Sequence, residues 1–198
     1  MTLLLLDTNA YLRLAKRIKP LLDVAFGQKR YRLTILAEVE HEYQHSPRMR
    51  EIFPWFWDEA LAAERLSKRI RLTADELIQL DGMTSVLHKA VRGNLSAYKS
   101  APSPVDCRML AFGLLKEATV VTDDLAMHQL GKEFDIPTMH GHELLRRMLS
   151  AKMVSREEVR DIYRALAANG DLPASWLRDR DRFFPRVFDR HCGGMTPI

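Results

Sequence analysis

"TLLLLD", residues 2–7, runs four leucines straight into an aspartate. A short apolar run with no polar alternation marks a strand buried on both faces, as in a parallel sheet. "RLTIL" (32–36) and "ATVVTD" (118–123) read the same way, and "IPTMHG" (136–141) reads as a last short strand. Helical patterns fill the intervals, over 10–17, 20–27, 37–45, 51–67, 74–92, 104–116 and 124–133. Strands alternating with helices predict an α/β fold, a three-layer α/β/α sandwich around a short, mostly parallel sheet.

"GNLSAYKSAPSP" (93–104) is the clear internal loop, rich in Gly, Ser and Pro. It leads into a well-marked helix start, with Ser103 as N-cap, Pro104 at the first helical position and Asp106 in the first turn. Past residue 141 two further helices are expected, the second opened by a Ser155/Glu158 capping box. Their apolar residues recur at helical spacing: Leu144, Leu145 and Met148, then Val159, Ile162, Tyr163 and Leu166. The expected organisation is one α/β domain over 1–145 and a C-terminal helical extension over 146–198, packed on or beside it. The final "HCGGMTPI" (191–198) reads as loose.

Composition narrows the setting. The two cysteines, Cys107 and Cys192, are far apart and form no C-x-x-C pair, so a reducing, cytoplasmic environment is expected. The N-terminus lacks a basic n-region and a small-residue cleavage site, which argues against a signal peptide. No apolar run approaches the roughly 20 residues of a membrane span, so no membrane partner is expected. Thirty Lys and Arg against 26 Asp and Glu leave a net charge of +4, with basic clusters at 16–19, 28–32, 67–71 and 178–182. Such a surface attracts a polyanion, although solvated charged faces would account for any one cluster.

Ligands of open α/β sheets collect at the carboxyl ends of the strands. Asp7 closes the first strand, Glu38 follows the second by two residues, Asp123 and Asp124 close "TVVTDD", and Asp106 opens the helix before that strand. Four regions distant in sequence thus send carboxylates to one edge. Clustered carboxylates repel each other, and a hard divalent cation, Mg²⁺ or Mn²⁺, is their natural companion. Taken singly, each acid has a plainer reading: Asp7 as the cap of the next helix, Asp106 as a helix-dipole partner, Asp123-Asp124 as a turn.

In order, "LLLLDTNAYLRL", "TILAEVEHEY", "SPVDCRMLAFGLLKEATVVTDDLAM" and "IPTMH" resemble the PIN-domain ribonucleases over roughly residues 2–145. The resemblance implies a metal-dependent nuclease whose acidic quartet falls on Asp7, Glu38, Asp106 and Asp124, with Glu38 as a ligand or as the group orienting the attacking water. It implies supporting roles for Thr8, Asn9 and Thr122, with Asp123 as a neighbour. Many members are toxins that cut RNA and pair with an antitoxin protein, and others process ribosomal or messenger RNA, so the implied partners are RNA, an antitoxin and a second copy of the chain. The segment 46–100, with "PWFW" (54–57), and the fifty residues past the core depart from the compact toxin pattern. Because acids repel nucleic acid, a basic rim is needed, and Arg13, Lys16 and Arg17 are the candidates.

Three rival readings compete. His41-Glu42-Tyr43-Gln44-His45 spells the H-E-x-x-H pattern of zinc peptidases, and Glu64 follows the second histidine with eighteen residues between. Against it, Ser46-Pro47 should end the helix at once. A phosphotransfer protein would need D-x-D or an acid pair with a mid-chain acceptor, and Asp7-Thr8-Asn9 does not supply it. A catalytically inactive nucleic-acid-binding PIN-like module is the third.

Overall fold

A computed structural model describes residues 1–188 of the chain. Four strands, β1 (Thr2–Leu6), β2 (Tyr31–Thr34), β3 (Thr119–Val121) and β4 (Thr138–Met139), form one sheet in the order β2-β1-β3-β4. Every pairing is parallel, in register Leu4↔Leu33 for β1 with β2, Leu5↔Val120 for β1 with β3, and Val120↔Thr138 for β3 with β4. Leu4, Leu5 and Leu6 are wholly buried, as a strand covered on both faces requires.

Ten α-helices are described. They are α1 (Thr8–Ala15), α2 (Glu38–His45), α3 (Pro47–Ile52), α4 (Glu59–Lys68), α5 (Ala74–Gly93), α6 (Pro104–Leu115), α7 (Leu125–Glu133), α8 (Gly141–Ser150), α9 (Arg156–Ala168) and α10 (Ala174–Phe183). None is long and apolar enough to cross a membrane. Their starts follow local chemistry: Asp7, Ser46, Thr73, Ser103, Asp124 and Ser155 each accept a hydrogen bond from a first-turn amide.

Three expectations need correction. No helix forms over 20–27. Leu21 and Leu22 are buried there in irregular chain whose amides donate to the Glu64 carboxylate, at 2.7 and 2.6 Å, and Asp23 has a left-handed φ of 59°. Tertiary burial and an external acceptor replace the helical bonds. The pattern over 51–67 is broken, because Pro54 starts a separate 3₁₀ turn (Pro54–Trp57) between α3 and α4. The boundary expected after residue 145 falls inside α8, and a third C-terminal helix, α10, follows the two that were expected. The end read as loose, 191–198, lies outside the described residues.

The aromatic turn earns its place through Arg65. This guanidinium is fully buried, lies 3.7 Å from the Phe56 ring centroid, and pairs with Glu40 at 3.3 Å and the Tyr11 hydroxyl at 3.3 Å. A charge is tolerated inside because a ring face, a carboxylate and a hydroxyl replace its water.

The C-terminal helices complete the same core. Leu144, Leu145, Met148, Val159, Ile162 and Trp176 are all buried. The Trp176 indole donates to Asp123 Oδ2 at 2.9 Å, and Arg13 of α1 bridges Asp123 (3.0 Å) and Asp171 (2.8 Å). Gly141 is required at this junction, since a Cβ there would stand 2.7 Å from the Trp176 ring. We expect Trp176→Ala to destabilise the protein by roughly 3–5 kcal/mol in chemical denaturation, through the cavity it leaves. Trp176→Phe should lose less, about 1–3 kcal/mol, mostly by removing one donor from a buried carboxylate.

Candidate active site

The strand order reverses direction between β1 and β3, because the chain goes from β1 out to β2 and from β3 out to β4. In parallel α/β sheets the crevice beyond the carboxyl ends of such a pair is where ligands sit. Here the pair ends in Asp7 and in Thr122-Asp123-Asp124, joined by the Asp7 amide donating to the Val121 carbonyl at 3.0 Å.

Three of the four expected acids serve helix N-termini. Asp7 Oδ1 accepts from the Ala10 amide at 2.5 Å, Asp124 Oδ1 accepts from the Ala126 and Met127 amides at 2.7 and 3.1 Å, and Asp106 closes a reciprocal capping box with Ser103. The plain readings of Asp7 as a cap and of Asp106 as a partner of its helix N-terminus hold, Asp124 caps α7 where a turn was expected, and all three lie at the carboxyl edge of the sheet. Asp106 is raised above the ordinary carboxylate range, mostly by burial, with the Asp124 charge adding to it. Asp7 is only 6% exposed, and burial pushes its carboxyl up to about 7, against the opposing pull of contacts with Thr122 and the Ala10 amide.

Glu38 and Glu42 stand one turn apart on α2, on one helix face. Glu38 pairs with Arg108, which also holds Asp81 of α5. Glu42 accepts a hydrogen bond from the Thr8 hydroxyl, next to Asp7. Its carboxyl is raised by burial, and by the charges of Asp106 and Glu38, against the pull of Thr8. The acid that α2 turns toward the others is thus Glu42. Sequence reading passed over it as the central letter of an apparent zinc motif, although its i+4 spacing from Glu38 was the available signal.

The supporting residues divide. Thr122 is buried and its hydroxyl accepts from the Asp124 amide at 3.0 Å, Thr8 holds Glu42, and Asn9 is exposed at the edge. Asp123 is bonded toward the C-terminal helices, while its charge still acts on Asp7 and helps to raise it. Burial works against its charge but is outweighed by His140, Arg13, Trp176 and the Gly141 amide, which hold its carboxyl below the usual range. It ties the C-terminal helices down.

The basic rim is not where it was expected. Arg13 is held between Asp123 and Asp171 with its side chain 11% exposed. Lys16 and Arg17 are exposed but lie at the far end of α1, which leads away from the acids; nine residues at 1.5 Å each put Lys16 about 13 Å beyond Asp7. The H-E-x-x-H constellation is likewise dispersed. His41 and His45 are exposed and occupied with each other, His45 Nδ1 lying 2.8 Å from the His41 carbonyl, while Glu42 turns to Thr8 and Glu64 is taken up by the Leu21 and Leu22 amides. α2 ends at His45, as Ser46-Pro47 required. Among the described residues no three His, Cys, Asp or Glu side chains stand close enough together to hold a metal ion as they are oriented.

A buried acid with a raised pKa makes a testable stability profile. Folded Asp7 holds its proton more tightly than the unfolded chain does, so its contribution is full below about pH 3.8 and is lost as pH rises to about 7. Glu42 and Asp106 shift in the same direction. In chelator, Asp7→Asn, which keeps the cap to Ala10, should melt above the parent at pH 8 by at least about 3 °C, the equivalent of roughly 1 kcal/mol. The difference should vanish near pH 4, as thermal melts at both pH values will read.

The chain's family is not shown by likeness to known proteins: no family model matches it, and neither a curated protein nor a solved structure matches it.

Proposed function

We propose that the chain is a metal-dependent endoribonuclease of the PIN-like type, with a three-layer α/β/α arrangement and Mg²⁺ or Mn²⁺ as its cofactor. The observation that carries this reading is the gathering of Asp7, Asp106, Asp124 and Glu42 at the carboxyl edge of an all-parallel sheet, around its switch point. The donors fit a hard cation, since all are carboxylate oxygens and a bound cation would favour the ionised form of Asp7, whose carboxyl burial pushes up to about 7. Mg²⁺ keeps several waters and takes as few as one or two carboxylates plus substrate phosphate, so three converged protein ligands are not a requirement.

Asp7, Asp106 and Asp124 are the residues that would hold the ion. When bound, it supplies Lewis-acid charge to the scissile phosphate and makes a nearby water more acidic. Glu42, steadied by Thr8, is suited to accept a proton from the attacking water and to aim its lone pair at phosphorus. Glu38 takes the alternative role through Arg108, either by exchanging that partner for the ion or by presenting the guanidinium to a phosphate oxygen. Arg13 and Asp123 hold α1 and the end of β3 in position behind the acids. The partners proposed with this reading are an RNA substrate and, for a toxin, an antitoxin protein; a cytoplasmic location accompanies it.

The measurement is cleavage of a labelled RNA with and without Mn²⁺. Asp7→Asn, Asp124→Asn, Glu38→Gln and Glu42→Gln should each lower the Mn²⁺-dependent rate by at least about tenfold, the low end for a group in or beside a metal site. The double substitution His41→Ala/His45→Ala should leave most of the rate intact, and the purified protein should hold no stoichiometric zinc. Absence of cleavage with any divalent ion would leave an inactive nucleic-acid-binding module as the better description. Loss of activity and of bound zinc together in the double histidine variant would revive the peptidase.

A further inference from the structure

A site crowded with carboxylates repels its own substrate, and the cations expected to offset this are engaged elsewhere or distant. A hollow between the first turn of α1 and the start of α3 is lined by the exposed Asn9 and Arg48, by Ser46, Met49 and Ile52, and by Asp171, whose charge is paired with Arg13. Asn9 is two residues from Asp7, about 3 Å of helical rise, and Ser46 directly follows the helix that carries Glu42. Arg48 is exposed and makes no ion pair among the described residues, whereas Arg13, also in the lining, is held by Asp123 and Asp171.

Size decides the class of occupant. The hollow measures about 250 Å³, below the roughly 300–1,000 Å³ of sites that enclose a whole small ligand. It suits one unit of a chain that continues past its mouth. Paired bases in a duplex cannot enter such a recess, while an unstacked single strand can splay a unit into it.

Resting on the ribonuclease reading, we propose that this hollow is the subsite for the nucleotide next to the scissile bond of single-stranded RNA. Arg48 binds that nucleotide's phosphate. The Asn9 amide, donor and acceptor at once, meets its sugar hydroxyl or base edge, and the sugar lies over Met49 and Ile52.

Binding separates this proposal from the chemistry. Fluorescence anisotropy of a labelled single-stranded RNA, in EDTA so that no cleavage occurs, should give at least about tenfold weaker affinity for Arg48→Glu at low salt. Arg48→Ala should also flatten the dependence of log K on log[salt] by about 0.7, one phosphate contact on a single strand. Asn9→Ala should weaken binding without changing that slope. Lys16→Glu/Arg17→Glu, a larger charge change, should stay within about twofold of the parent, and a duplex of the same sequence should bind more weakly than the single strand. Parent-like binding by Arg48→Glu, an equal loss in the Lys16/Arg17 variant, or absence of RNA binding by the parent would overturn the subsite. Binding that depends on Arg48 in a protein that cleaves nothing with Mn²⁺ would keep the hollow as a contact for single-stranded RNA and discard the nuclease, and with it the place beside a scissile bond.

Discussion

The structure depends on one constraint: all four strands run the same way, so each ends at the same edge where a following helix begins. A helix N-terminus presents unpaired amides and a partial positive charge, and a carboxylate is the natural group to meet both. Asp7 and Asp124 answer that need at the ends of β1 and β3, and Asp106 answers it on α6. Accumulation of acids at this edge is therefore partly a consequence of capping. Two features exceed what capping requires: the depth at which Asp7 is buried, and Glu42, which caps nothing and leans on Thr8 toward Asp106.

Asp123 shows the opposite use of a carboxylate. A buried charge is tolerated when enough donors replace its water, and here a guanidinium, an indole, an imidazole and a backbone amide do so from α1, α10 and the start of α8. Adjacent aspartates thus have different environments, Asp124 exposed at the edge and Asp123 turned inward. The inward one makes the last three helices part of the same core and consumes the charge of Arg13. Buried ion pairs of this kind fix geometry more than they add stability. Here they join α1, through Arg13, to the end of β3 and to Asp171.

The strands, most helix starts and the edge that gathers acids were legible in the sequence, because they rest on local chemistry. Four leucines ending in aspartate, Ser103-Pro104 before Asp106, and Ser155 before Glu158 are short-range signals, with physical causes within a few residues of each other. The segment 20–27 misled for the converse reason. Its periodic leucines are buried by tertiary packing, and its amides are satisfied by Glu64, more than forty residues away.

The sequence by itself determined a parallel α/β fold and the capping carboxylates Asp7, Asp106 and Asp124 at its carboxyl edge, since strand composition and capping residues act locally. Only the tertiary structure decided which member of each neighbouring pair faces the others: Glu42 toward Asp106 while Glu38 pairs with Arg108, and Asp123 into the core while Asp124 stays at the edge. It also withdrew Arg13 from any rim and left Arg48 exposed in the hollow that Asn9 lines. The reason is one of range. Which way a charged side chain turns depends on the partners the fold brings within hydrogen-bond distance, and Arg108, Asp171 and Trp176 reach Glu38, Arg13 and Asp123 from 70, 158 and 53 residues away.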